Sequence, residues 1–139
     1  MRLVVDTNII ISSILKDGIS RKIITNYNFD LITPAYTLTE ILKYKDEICK
    51  KAKLNSEEFQ TILNLLFKYI KIIKPELYLN NMNKASSLIK DIKDFPFLAC
   101  AISQNCPIWS EDKGFKRQNT ILVLNTSEIK RDLLSREKF

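Results

Sequence analysis

The chain has 139 residues, 45% of them hydrophobic, and its 22 lysines and arginines outnumber 16 acids to leave a net charge of +6. This length suits one domain, no apolar run reaches the ~18 residues of a membrane span, and the basic balance favours a polyanion such as nucleic acid as partner. Histidine is absent and the only glycines are Gly18 and Gly114, which excludes histidine-based nucleophile triads, histidine-ligated zinc hydrolases and glycine-rich phosphate cradles.

Arg2–Val5 is a short apolar run that predicts a buried strand. Residues 8–15 then predict a helix closed by Lys16-Asp17-Gly18, residues 20–27 a second helix, and 29–32 the next strand. Asp6 interrupts the opening apolar stretch and no small-residue cleavage site follows, so the stretch is a poor secretory leader and the expected location is the cytoplasm. Thr33-Pro34 predicts the start of a new element, because proline suits a first helical turn, and Thr37-Leu-Thr-Glu40 matches a capping box. Apolar positions 38, 41, 42, 48 and 49 extend that helix to about residue 52. Asn55-Ser-Glu-Glu58 caps a helix over 59–69, with Ile62, Leu65, Leu66 and Tyr69 on one face.

Ile70–Ile73 is strand-like, 81–90 helical, and Asp94 opens a buried helix over 95–105. Residues 107–109 predict a strand, 112–118 a short helix, 121–124 a strand, and 126–134 a capped terminal helix. Strands separated by helices imply βαβ units, hence a mostly parallel sheet with helices on both faces, in one domain over residues 1–139. Cys49, Cys100 and Cys106 are odd in number and lack C-x-x-C spacing, which argues against a disulfide framework or a zinc site and for thiols in a reducing compartment.

Four acids share a local context. Asp6 follows the first strand, Glu40 lies one turn into the helix after the second, Asp94 opens a helix, and Asp112 follows the strand at 107–109. Singly, each is accounted for as a helix cap. Together they are not, because strand ends of an open parallel sheet converge on one edge, and four neighbouring carboxylates need a hard divalent cation such as magnesium or manganese to neutralise them. Such a cation also supplies the missing base by acidifying a water, chemistry suited to in-line attack on a phosphodiester. Lys113, Lys116 and Arg117 follow Asp112 directly and are candidate substrate contacts, whereas Lys43, Lys45, Lys50, Lys51 and Lys53 read as solvated helix positions.

Two other readings stay open. Asp6-Thr7-Asn8 is similar to the phosphatases with an aspartyl nucleophile, although their second acid, two residues on, is here Asn8. The chain could also be a basic RNA-binding module without catalysis, which would bind RNA equally with or without divalent metal.

Val4-Val5-Asp6-Thr7-Asn8-Ile9-Ile10, then Glu40, then Asp94-Phe-Pro-Phe-Leu-Ala-Cys-Ala, then Ile108-Trp109-Ser110-Glu111-Asp112-Lys113-Gly114-Phe115 resembles, in order and spacing, the PIN domain. The resemblance spans nearly the whole chain. It implies a three-layer α/β/α fold, magnesium- or manganese-dependent cleavage of single-stranded RNA, kinship with VapC-like toxins of toxin–antitoxin pairs, an antitoxin protein as partner, and a homodimer. By position it implies Asp6, Glu40 and Asp94 as the main acidic set and Asp112 as the fourth acid, for both metal binding and catalysis. Asn8 and Ser110 match supporting polar positions, Thr7 belongs to the motif, and Asp91 is a neighbouring acid. The segment 55–69 departs from the short toxin type and resembles a distinct branch of the family.

Overall fold

The computed structural model describes residues 1–26 and 29–137. Five strands, β1 (Arg2–Val5), β2 (Asp30–Pro34), β3 (Ile70–Ile73), β4 (Ile108–Trp109) and β5 (Val123–Leu124), pair in parallel in the order β3-β2-β1-β4-β5. Among the described residues eight α-helices connect and cover them: α1 (Thr7–Leu15), α2 (Ile19–Asn26), α3 (Tyr36–Lys43), α4 (Lys45–Ala52), α5 (Ser56–Leu66), α6 (Met82–Leu88), α7 (Phe95–Gln104) and α8 (Thr126–Glu137). The expected parallel α/β/α sandwich is the fold observed. Tyr27, the expected end of the second helix, lies outside the described residues.

Alternation along the strands sorts the apolar residues into two cores. Leu3, Val5 and Trp109 pack with Ile10, Ile14, Ile23, Phe59 and Leu66 on one face of the sheet. Val4, Ile32 and Ile108 pack with α7 and with Phe115 on the other. α7 buries six consecutive residues, Pro96 to Ala101, as a helix pressed against the sheet must. Its small Ala99, Cys100 and Ala101 suit a close approach to the strands. Cys100 and Cys106 are buried and Cys49 half-buried, all three as free thiols. Among the described residues no helix is long and apolar enough to cross a membrane.

Four expectations are corrected. Pro34 closes β2 instead of opening a helix: it holds Thr33 extended, and Ala35, the next residue with a backbone N–H, bonds to Ile73 O at 3.0 Å. α3 therefore begins at Tyr36, Thr37 lies inside it and is buried, and the Thr37–Glu40 capping box does not form. The helix expected over 38–52 is broken at Tyr44 into α3 and α4, so that Ile41 and Ile48 both reach the core while Leu42 is left 60% exposed. In α5 the buried residues are Phe59, Leu63 and Leu66, whereas Leu65 and Tyr69 are largely exposed.

The cap of α5 forms as read. Asn55 Oδ1 accepts from Glu58 N at 2.8 Å and Glu58 Oε1 accepts from Asn55 N at 3.0 Å. Asn55→Ala removes one half of this reciprocal pair and is expected to lower stability by about 1 kcal/mol, read as a lower urea midpoint at unchanged slope.

Candidate active site

The chain runs from β1 outward through β2 to β3, then crosses back to place β4 and β5 on the other side of β1. Strand order thus reverses at β1, and the carboxyl ends of β1 and β4 flank a crevice of the kind in which open parallel sheets bind ligands. Asp6 leaves the end of β1, its N–H bonded to Trp109 O of β4 at 3.0 Å. Asp112 lies just past β4, Glu40 in α3 after β2, and Asp94 where a 3₁₀ turn, Ile92–Asp94, runs into α7.

Each acid is held by a specific partner. The Ser110 hydroxyl donates to Asp6 Oδ2 at 2.6 Å and accepts from Asp112 N at 2.9 Å, joining the ends of β1 and β4 through one side chain. Asp112 Oδ1 accepts from Gly114 N at 2.8 Å. A Cβ at Gly114 would lie 3.2 Å from that same oxygen, so glycine permits the close turn. The Thr7 hydroxyl donates to Glu40 Oε1 at 2.7 Å. Behind it, Thr37 and Thr33 share a 2.7 Å hydrogen bond, and Thr33 donates to Val5 O at 2.9 Å. Glu40 is therefore tied to the start of α1, and Thr37 is tied through Thr33 to the end of β1.

Capping does not account for most of these acids. Asp6 makes no side-chain cap on α1, Asp94 makes none on α7, and Glu40 bonds to Thr7 rather than to its own helix start. Only Asp112 caps, at the 3₁₀ turn Lys113–Arg117.

The carboxylates share one electrostatic field. Burial, with added repulsion from Glu40 and Asp112, pushes the Asp6 carboxyl up to about 6, against the pull of the Ser110 hydroxyl. Burial and the charges of Asp112, Asp91 and Asp6 push Asp94 up to about 7. An all-oxygen set of mutually repelling carboxylates fits a hard divalent cation. Among the described residues no group of three or more acids or cysteines is gathered tightly enough to hold an ion as it stands, so the cluster is open.

Of the flanking residues, Lys113 and Arg117 line a cavity of about 560 Å³ together with Asp94 and Asp112. Lys116 does not: its Nζ is 2.8 Å from Glu128 Oε1, and this ion pair docks the 3₁₀ turn to the start of α8. Asn8 is exposed and borders two smaller clefts on the α1 side. Asp91 lines the same cavity as Asp94 and accepts from Lys93 N at 3.1 Å. Sequence reasoning missed Thr33 and Thr37, whose signal was polar residues inside an otherwise apolar strand and helix face. It also missed Lys90, which joins Lys113 and Arg117 in the cavity.

The PIN domain family model matches residues 4–132. The chain belongs to the PIN domain family. VapBC-1 from nontypeable Haemophilus influenzae shares this PIN fold at 21% identity with a TM-score of 0.69, covering 91% of this chain and 99% of that one. VapBC2 from Rickettsia felis, bound to a DNA fragment from its promoter, does so at 21% identity and a TM-score of 0.64, covering 90% of this chain and 98% of that one. A search of curated proteins finds no match.

Thr7→Val keeps the shape of the buried side chain of this PIN domain but removes the donor to Glu40. If Glu40 acts in the reaction, Thr7→Val is expected to slow it about 10- to 100-fold, with Thr7→Ser retaining the rate. A rate assay on both variants checks this.

Proposed function

We propose that this PIN domain is a divalent-metal-dependent endoribonuclease that hydrolyses phosphodiester bonds of single-stranded RNA, in one domain spanning residues 1–139. The observation that supports the reading is that Asp6 lies in the field of Glu40 and Asp112, and Asp94 in that of Asp112 and Asp6, with Asp6, Glu40 and Asp94 all unused as helix caps. These four would hold magnesium or manganese. When bound, the cation acidifies a water and offsets charge on the phosphate under attack.

The remaining work falls to the protein. Ser110 fixes the Asp6 carboxylate from one side and Thr7 fixes Glu40 from the other, so both are oriented before substrate arrives. Burial and the charges of Asp112, Asp91 and Asp6 push the Asp94 carboxyl up to about 7, so a cation that offsets those charges favours its ionised, ligating form. Lys113 and Arg117 attract the backbone of the strand.

The same reading places the protein in the cytoplasm as a homodimer. The two solved relatives carry the VapBC name, which supports a VapC-like toxin role with an antitoxin protein as partner. The aspartyl-phosphatase reading is weaker, because Asn8 occupies the position of the second acid.

Single-stranded RNAs of varied sequence, incubated with the purified protein, are expected to be cut in magnesium or manganese and left intact in chelator. No cutting across the panel, or cutting that chelator does not stop, would refute the assignment.

A further inference from the structure

The cavity beside Asp94 and Asp112 is large, about 560 Å³, and three of its lining residues are cations: Lys90, Lys113 and Arg117. All three are exposed, and among the described residues none is in an ion pair. Lys116, between them in sequence, is paired to Glu128 and lines a different cleft. The backbone around Arg117 is braced. Buried Gln118 donates to Phe115 O at 2.8 Å and to Ile121 O at 2.7 Å and accepts from Ile121 N at 2.8 Å, closing the loop behind Arg117.

A separate cleft of about 270 Å³ on the α1 side has one cation, Lys16, together with Glu111. Positive charge is therefore concentrated in the cavity that also holds Asp94 and Asp112. Within the larger cavity Asp91 is occupied by Lys93 N, while Asp94 and Asp112 belong to the proposed cation site. Once that site is neutralised the three bases outnumber the one remaining acid, Asp91.

Resting on the nuclease reading above, we propose that this cavity seats the RNA backbone next to the bond that is cut, with Lys90, Lys113 and Arg117 clamping its phosphates and Lys116 taking no part. Lys90, which is distant in sequence from Lys113 and Arg117, enters the substrate site only through the fold.

The test is equilibrium binding of a fluorescent single-stranded RNA oligonucleotide to the Asp6→Asn protein in magnesium, followed by anisotropy as monovalent salt is raised. Each phosphate contact on a single strand contributes about 0.7 to the slope of log affinity against log salt. The combined Lys90→Ala, Lys113→Ala and Arg117→Ala protein is expected to lose about 2 from that slope. Lys116→Ala is expected to keep it. An unchanged slope in the triple variant, an equal loss in Lys116→Ala, or no measurable RNA binding would overturn the clamp. The two readings fail separately: an enzyme that cuts RNA while its slope ignores the triple substitution loses the clamp, and a protein that cuts nothing but shows the slope change keeps the clamp and loses the nuclease.

Discussion

Asp6→Asn is expected to slow metal-dependent RNA cleavage by at least about 100-fold while leaving the fold intact. The amide has the shape of the carboxylate and still offers Ser110 an acceptor, now at 2.6 Å in the wild type, but it carries no charge for a cation. Asp6 is only 6% exposed, so its charge is costly to bury, and removing that charge is also expected to raise the melting temperature near pH 8 in chelator. Single-turnover cleavage and a thermal melt on the same sample read both effects. Wild-type cleavage by Asp6→Asn would remove Asp6 from the site. A lowered melting temperature would instead make its role structural.

The second large effect is on pH. A free aspartate loses its proton near 3.8, whereas burial and neighbouring charge hold Asp6 to about 6 and Asp94 to about 7. Between those values the folded protein keeps protons that the unfolded chain has released. The sign follows: the stability these two groups lend is full below about pH 3.8, falls as pH rises, and is gone above about 7. For buried Asp6 the full swing is about 3 kcal/mol. In chelator the melting temperature is expected to be lower at pH 8 than at pH 5 on this account, and the Asp6→Asn, Asp94→Asn double variant is expected to flatten the difference. Magnesium or manganese binds the charged form and so is expected to stabilise more at pH 8 than at pH 5. A melting temperature that falls equally in wild type and double variant would show that other groups set the pH dependence.

The strand–helix alternation was legible because each strand is a short apolar run between polar boundaries, and a parallel sheet follows from that alternation. The cap of α5 was legible because Asn55 and Glu58 are a local pair. What failed were features decided at a distance. Thr37 and Glu40 have the spacing of a capping box, but Thr37 turns back to Thr33 at the end of β2, and Glu40 is recruited by Thr7, 33 residues away. Lys116 looks like its neighbours Lys113 and Arg117 until α8 supplies Glu128 as its partner. Leu65 and Tyr69 fit a helical stripe, yet the face of α5 that meets α1 and α2 runs through Phe59, Leu63 and Leu66. The acids were visible as residues at strand ends and helix starts, and the family resemblance gave their order. Their mutual field, and the buried threonines behind Glu40, exist only in three dimensions.

The Ser110–Asp6 hydrogen bond joins positions 104 residues apart. A chain emerging from the ribosome exposes Asp6 first and must wait for β4 before Ser110 and Asp112 can reach it. Until β4 is in place, Asp6 has neither the Ser110 hydroxyl that orients it nor Asp112 beside it, so the proposed site is assembled late in synthesis.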